Sequence, residues 1–155
     1  MPDVHSGVMK ILIASDHAGF ELKTAVAQQL RDRGLDVEDL GPDSTASVDY
    51  ADLAHPLAER VSSGNAEQGI LICGTGLGMS YVANRYPNVR AAVSWAPEIA
   101  ALARQHNDAN VLVLPARFVD AEEGRAILKA WLDTPFAGGR HARRVAKIER
   151  DEPDA

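Results

Sequence analysis

Cysteine, aromatic residues and long apolar runs are all scarce in this chain of 155 residues. Its one cysteine, Cys73, excludes an internal disulfide framework and favours a reducing compartment, so we expect a cytoplasmic protein. No apolar run approaches the roughly 20 residues that a membrane-spanning helix needs. The first eight residues, MPDVHSGV, have no hydrophobic stretch that could act as a secretory signal. These absences predict a protein that does not act in a membrane.

Positive charge is also in short supply. The formal net charge of −6 opposes a general attraction to nucleic acid or to an anionic membrane surface. Residues 140–150, RHARRVAKIER, are the exception: five Arg or Lys against one Glu give a local charge of +4 and leave −10 on the rest. Arg140 and Arg144 are four residues apart, so on a helix they share a face that suits phosphate oxygens or is simply solvated. The cluster predicts one specific anionic partner and no nucleic-acid partner.

What the chain does have is the composition of an ordinary globular domain, 46% apolar and 25% charged. Short apolar runs alternate along it with helical patterns. The apolar runs predict five strands, at residues 9–14, 35–40, 69–73, 90–94 and 110–114, of which the second has the weaker pattern. The helical patterns predict helices at about 20–33, across Leu53, Leu57 and Val61, at about 79–86, from Pro97 to His106, at about 120–132 and, short and basic, after Gly139.

This alternation predicts a single α/β domain, a three-layer αβα sandwich around a five-stranded parallel, Rossmann-like sheet. Right-handed crossovers put the carboxyl end of every strand on one edge, where ligands bind in open α/β folds. Two polar segments follow strands there, Ser15–His17 and Cys73–Gly78. The helix that starts near Pro97 is predicted to bury a face made of Ile99, Leu102, Ala103 and, one step on, His106.

The segment Gly74–Gly78 has three glycines in five residues between a predicted strand and a predicted helix. Glycine lets backbone N–H groups turn toward a ligand, and the helix adds its positive end, so the loop can hold a phosphate or a developing oxyanion. A tight strand–helix turn is the alternative. Met79 stands where a Walker loop or a dinucleotide fingerprint needs glycine, and where a cysteine phosphatase needs arginine.

Three side chains carry reactive groups near these segments. Cys73 opens the glycine loop and is either a small buried hydrophobe or, because amides and a helix start favour its thiolate, a nucleophile or proton acceptor. His17, after Asp16, either binds sugar hydroxyls or phosphate or belongs to a helix-start turn. His106 ends an apolar helix face and is either a satisfied core histidine or a catalytic acid. No close ligand pair such as HxxxH or CxxC supports a metal site, so no metal is expected.

Together these motifs resemble the type B ribose-5-phosphate isomerase family, which includes relatives that act on galactose 6-phosphate and allose 6-phosphate. The resemblance extends from residue 10 to about 150, in matching order and spacing. It is carried by SDHAGFELK at 15–23, DY at 49–50, GILICGTGLGMSYVANR at 69–85, RQHNDANVL at 104–112 and GGRHARRV at 138–145.

The resemblance implies an aldose–ketose isomerase of the pentose phosphate pathway that interconverts ribose 5-phosphate and ribulose 5-phosphate through an enediolate, without redox cofactor or metal. Cys73 would be the base that moves a proton between C1 and C2, and His106 would open the furanose ring. The enediolate oxygen would be held by the loop amides, assisted by the Thr75 hydroxyl. That loop comprises Gly74, Thr75, Gly76, Leu77 and Gly78.

The resemblance also implies substrate-binding roles and a homodimer or homotetramer. Asn107 would orient the sugar. The residues expected to contact sugar hydroxyls or phosphate are Asp16, His17 and Tyr50, and those expected to bind phosphate are Arg117, Arg140 and Arg144. The last two would reach across to the neighbouring subunit's site. A second branch of the family uses a glutamate after the loop, where this chain has Met79, which cannot accept a proton.

Two questions stay open at the level of sequence. The substrate is a pentose 5-phosphate, or else a hexose 6-phosphate or tetrose 4-phosphate, and Trp95 after the fourth predicted strand is larger than the family pattern leads us to expect. A sugar-phosphate-binding protein without turnover is a competing class.

Residues 1–8 are predicted to be a flexible extension, residues 9–150 the isomerase domain and residues 151–155 an acidic tail.

Overall fold

A computed structural model describes residues 8–150, so all but Val8 of the predicted extension, and the whole predicted tail, lie outside the described residues. The five strands are β1 (Lys10–Ser15), β2 (Asp36–Asp39), β3 (Gln68–Cys73), β4 (Ala91–Val93) and β5 (Val111–Pro115). The helices are α1 (Phe20–Asp32), preceded by a 3₁₀ turn (His17–Gly19), α2 (Tyr50–Ser62), α3 (Leu77–Ala83), α4 (Pro97–Asn107), α5 (Ala121–Asp133) and α6 (Arg140–Ala146).

The five strands form one parallel sheet in the order β2-β1-β3-β5-β4. One apolar cluster packs α1, α4 and α5 against one face of the sheet, and a second packs α2 and α3 against the other. The predicted three-layer α/β sandwich is therefore confirmed. Central strand β3 is buried along its whole length, whereas β2, at the edge, is half-exposed.

Local sequence signals set the limits of several helices. Leu22, Val26 and Leu30 recur at spacing four and are buried, so α1 lies on the sheet as the periodicity predicts. The chain leaves α1 through Gly34, whose φ of +77° is a left-handed conformation that glycine adopts without strain. Helix α5 begins with a capping box: Asp120 accepts from the Glu123 amide at 2.8 Å, and Glu123 accepts from the Asp120 amide at 3.2 Å.

The predicted buried face of α4 is confirmed at Ala103 and wrong at Leu102. Ala100 and Ala103 are the buried residues of this helix, Ile99 is half-buried, and Leu102 is 44% exposed. Two alanines let α4 approach the sheet and α5 closely, and rotation of the helix toward them turns Leu102 outward. Among the described residues, no helix is long and apolar enough to cross a lipid bilayer.

Candidate active site

The end of β1 delivers two of the predicted site residues to the carboxyl edge of the sheet. The Asp16 amide donates to the Ile72 carbonyl at 3.0 Å, which holds Asp16 beside the end of β3. The Asp16 carboxylate accepts from the Gly19 amide at 3.0 Å and caps the 3₁₀ turn. The next residue, His17, accepts a hydrogen bond at Nδ1 from the Val48 amide at 3.4 Å. Asp16 therefore has the helix-start role that the sequence left open, and the pair lies at the carboxyl edge of the sheet.

The glycine loop joins β3 to α3 at the same edge. Gly76 has a φ of +78°, a conformation that favours glycine, and a Cβ built on it would lie 3.1 Å from Val113 Cγ1, closer than ordinary van der Waals contact. A Cβ on Gly74 would lie 3.0 Å from Nε of Arg117, and a Cβ on Gly78 would overlap the ring of Tyr50. Arg117, after β5, and Tyr50, at the start of α2, thus flank the loop.

Cys73 lies at the end of β3, with 5% of its surface exposed. Burial raises the pKa of its thiol, while the backbone amides of Met79, Gly76 and Thr75 pull that pKa the other way by hydrogen bonding, and the charge of Asp16 raises it further. The prediction that the loop favours the thiolate is therefore wrong for the ligand-free protein, because desolvation outweighs the amides. The amides that lower the pKa belong to the loop and to the first turn of α3, the two segments that follow Cys73.

The side chains of the loop and of the first turn of α3 have separate roles. The Thr75 hydroxyl accepts from the Leu77 amide at 3.2 Å and stays at the start of the helix, near Cys73. Met79 is fully buried in the core between α2, α3 and the sheet. In the second branch of the family that this sequence resembles, a glutamate stands at this position. Here the position holds an apolar side chain that faces the core.

The remaining predicted site residues lie at the opposite edge of the sheet. Helix α4 leaves the carboxyl end of β4 and returns to the start of β5, so His106 and Asn107 are at the amino edge. Helix α5 returns the same way and is followed by α6, which packs against α4 and carries Arg140 and Arg144. The length of β5 alone separates the two edges by about 13 Å. Within one chain, Cys73 and His106 do not belong to one site.

Hydrogen bonds and a contact between two rings hold the residues at the amino edge in place. The Arg104 guanidinium donates to Asp108 Oδ1 at 3.1 Å and to the Ala109 carbonyl, which holds the end of α4 against the start of β5. The imidazoles of His106 and His141 are stacked, with ring centroids 4.3 Å apart. Arg140 and Arg144 are exposed, and within residues 8–150 neither guanidinium forms an ion pair. Two cations are thus left available for an anion.

Nothing in residues 8–150 groups three or more His, Cys, Asp or Glu side chains in a way that could hold a metal ion. Within residues 8–150, the polar groups at the carboxyl edge include backbone amides, one thiol, one hydroxyl, one phenol, one guanidinium and the Asp16–His17 pair. That set can hold an anionic or hydroxyl-rich small molecule beside a sulfur atom that can exchange a proton.

Comparisons with known proteins decide the family. The family model described as Ribose/Galactose Isomerase matches residues 11–148. The chain belongs to the ribose/galactose isomerase family. This membership confirms the resemblance drawn from the motifs and the predicted enzyme class, an aldose–ketose isomerase of sugar phosphates.

Individual members of the ribose/galactose isomerase family are similar over nearly their whole length. Ribose-5-phosphate isomerase B of Escherichia coli is 44% identical over 139 residues, which cover 90% of this chain and 93% of the relative. The crystal structure of a ribose 5-phosphate isomerase from Thermotoga maritima matches with a TM-score of 0.87 and 54% identity, covering 90% of this chain and 97% of that one. The ribose-5-phosphate isomerase B of Mycoplasma genitalium with bound ribulose 5-phosphate matches with a TM-score of 0.87 and 44% identity, covering 90% and 93%.

Two features of the site escaped the sequence-based reasoning. The order of the elements already implies that a residue just before a strand lies at the amino edge, so the separation of His106 from Cys73 could have been found. The contact between His106 and His141 had no comparable signal, because it depends on how α6 packs on α4.

Proposed function

We propose that this isomerase interconverts ribose 5-phosphate and ribulose 5-phosphate, with Cys73 as the base. The observation that carries the proposal is the position of the chain's one thiol, at the end of β3 where the glycine loop begins and where the amides of Thr75, Gly76 and Met79 favour its charged form. The relatives named for ribose 5-phosphate, one of them with ribulose 5-phosphate bound, support the choice of a pentose.

The proton transfer follows from that arrangement. The Cys73 thiolate takes the proton from C2 of the open-chain aldose, and the electron pair moves through C1 to the carbonyl oxygen, forming an enediolate. Loop amides and the Thr75 hydroxyl stabilise the negative oxygen, each such donor being worth about 3 kcal/mol. The thiol then returns its proton to C1 while the C2 hydroxyl gives its proton to O1, which yields the ketose with a neutral C1 hydroxyl and restores the thiolate. Atoms and charge balance without a redox cofactor.

Ring opening needs a separate acid. Ribose 5-phosphate closes into a five-membered hemiacetal, so the C1–O4 bond must break before C2 becomes acidic. In our proposal His106 gives a proton to O4 as that bond breaks, and the anomeric hydroxyl releases a proton to leave the aldehyde. Asn107 orients the sugar, Asp16, His17 and Tyr50 contact its hydroxyls or phosphate, and the phosphate is bound by arginines. Those arginines are Arg117, Arg140 and Arg144.

This assignment requires two copies of the chain. Cys73 and His106 are at opposite edges of the same sheet, so His106, Asn107, Arg140 and Arg144 can serve only a site on another protomer. A two-fold dimer would bring the amino edge of each subunit to the carboxyl edge of its partner and so complete two sites. Large apolar side chains exposed on α3 and around α4 offer a surface for the contact. They are Leu77 at 47%, Tyr81 at 61%, Trp95 at 58% and Leu102 at 44%.

A panel of four-, five- and six-carbon sugar phosphates tests the substrate and the base together. Wild type should convert ribose 5-phosphate fastest, and Cys73→Ala should lose at least about 1,000-fold in kcat while unfolding at the same urea concentration. Preference for a hexose or tetrose phosphate would reassign the substrate.

A comparison of the wild type with Cys73→Ala also distinguishes an enzyme from a sugar-phosphate-binding protein. The wild type should exchange the C2 hydrogen of ribose 5-phosphate with D2O solvent, and the Cys73→Ala variant should not. Binding of the sugar phosphate without exchange would make the chain a sugar-phosphate-binding protein. Near-normal turnover by Cys73→Ala would remove Cys73 as the base.

A further inference from the structure

The two histidines at the amino edge form a contact that the proposed reaction does not use. His106 is next to last in α4 and His141 is in the first turn of α6, and their imidazoles lie face to face, 4.3 Å between centroids and 13° from parallel. Rings with this separation and tilt are in stacking contact. The contact joins the residue that we assign to ring opening to a residue without an assigned role.

Hydrophobic packing does not account for the stack. Helix α6 contains no buried residue, and its first turn is exposed except for the half-buried His141. The approach to α6 is tied to α4 by a hydrogen bond from the Ala137 amide to the Gln105 carbonyl at 3.0 Å, which brings His141 over the His106 ring. The contact is therefore a specific ring-on-ring arrangement at the surface rather than part of a core.

The surroundings of His141 disfavour its protonated form. His141 faces His106 on α4 and the guanidinium groups of Arg140 and Arg144 on its own helix, while the 134–139 loop contains no ionisable side chain. Loss of hydration and then these like charges lower the pKa of His141. A neutral imidazole at position 141 presents a flat π face to the ring of His106.

We propose that His141 is a positioning residue whose imidazole, stacked on His106, fixes the plane of that ring for opening of the sugar. The proposal rests on the ring-opening role proposed for His106. A general acid must direct its N–H at the atom that it protonates, and an unsupported imidazole at an exposed helix end rotates about two side-chain bonds. The flat support limits that rotation without itself exchanging a proton.

The proposal predicts that only the ring-opening step depends on His141. Ribose 5-phosphate must open before it reacts, whereas ribulose 5-phosphate has no free hydroxyl at C5 and stays open-chain. His141→Ala should lower kcat for ribose 5-phosphate by about 10- to 100-fold, with KM within about twofold. Exchange of the C1 hydrogens of ribulose 5-phosphate with D2O should stay within about twofold of wild type.

Two further variants test whether a flat ring is what matters. His141→Phe keeps the flat ring but cannot titrate or donate a hydrogen bond, so it should restore most of the lost kcat. Arg143→Ala, an exposed change on the same helix, should match wild type in both assays. Equal losses in His141→Phe and His141→Ala would overturn the proposal, as would a raised KM for both sugars, which would indicate a phosphate contact.

The remaining measurements separate failure of this proposal from failure of the proposed function. A wild type that neither isomerises nor exchanges would contradict the function, and a normal His106→Gln variant would contradict ring opening by His106. If His141→Ala keeps the wild-type kcat for ribose 5-phosphate while His106→Gln loses it, only the positioning role of His141 is overturned. NMR titration gives a readout without turnover: the pKa of His141 should rise in His106→Gln, because one like charge is removed, and an unmoved pKa would contradict the contact.

Discussion

At the scale of single residues, the role proposed for Cys73 and its position in the fold have opposite effects on its thiol. A base must be deprotonated, yet the thiol is almost fully buried and its pKa is raised. The amides that hydrogen-bond the sulfur reduce this penalty without removing it. The thiolate is therefore a minor form in the ligand-free protein near neutral pH, and its population grows as pH rises. Burial limits the access of other reagents to the sulfur, and it also lowers the fraction of thiolate in the ligand-free protein.

The raised pKa of Cys73 predicts the pH dependence of alkylation. Only the thiolate reacts with iodoacetamide, so the rate should rise with pH to a plateau whose midpoint is the pKa. That midpoint should lie above roughly 8.5, the value for an unhindered cysteine. The same chain unfolded in urea is the control, since it contains one thiol and no other. A folded midpoint at or below the unfolded one would show that the amides, not burial, dominate.

At the scale of elements, charged pairs hold edge strand β2 to its neighbours. Glu38 on β2 accepts hydrogen bonds from Arg60 on α2, one of them at 3.1 Å, and lies 3.3 Å from the ammonium of Lys10 on β1. The hydrogen bonds from Arg60, with the charge of Lys10, lower the pKa of Glu38 to about 2. A half-exposed strand with little core contact is thus secured by a side-chain network, which a hydrophobic pattern alone does not reveal.

Replacing Glu38 should therefore cost stability in a pH-dependent way. A lowered pKa stabilises the fold fully above about pH 4.3, the value in an unfolded chain, and that contribution is lost as pH falls toward 2. Because the Glu38 side chain is 40% exposed and screened by solvent, Glu38→Gln should lower the free energy of unfolding by only about 1 kcal/mol at pH 7.

Urea unfolding at a series of pH values measures the effect of Glu38→Gln. The difference from wild type should vanish toward pH 2. Glu21→Gln is the matched control, because this glutamate on α1 is exposed and has no hydrogen-bond or ion-pair partner among the described residues. A Glu38→Gln penalty that persists unchanged at low pH would assign the effect to packing rather than to charge.

At the scale of the whole molecule, one chain presents two half-sites on opposite edges of its sheet. The carboxyl edge carries the thiol and the amide-rich loop, and the amino edge carries His106 with Arg140 and Arg144, which form no ion pair within residues 8–150. Neither half has the groups for the full reaction. Assembly is thus a condition for catalysis in our proposal, and activity should depend on protein concentration near the dissociation constant of the dimer.

Mixing two inactive variants tests the shared site directly. A Cys73→Ala protomer still offers its His106, and a His106→Gln protomer still offers its Cys73. Unfolded and refolded together in equal amounts, they should form dimers that are half heterodimers, each with one intact site, and recover about a quarter of wild-type activity.

The control for this complementation is each variant refolded alone. No recovery on mixing, with mixed dimers shown by mass spectrometry, would mean that both residues act within one subunit. A chain that sediments as a monomer at all concentrations would contradict the shared site altogether.

Sequence by itself determined the architecture, because alternating apolar runs and amphipathic helices have one compact solution, a parallel sheet covered on both faces. It also located the loop after β3, since closely spaced glycines between a strand and a helix indicate either a loop that holds an anion or a tight turn. Motifs in order and spacing then indicated the family. These features are local, or depend only on the order of elements along the chain.

Only the tertiary structure decided the features that depend on how the elements pack. Desolvation of Cys73 reversed the expected charge state, because burial is set by neighbours from distant parts of the chain. The rotation of α4 onto Ala100 and Ala103 turned Leu102 outward, since close approach to α5 favours small side chains. The stack of His141 on His106 exists because α6 packs against α4, a contact between helices that no periodicity within either helix contains.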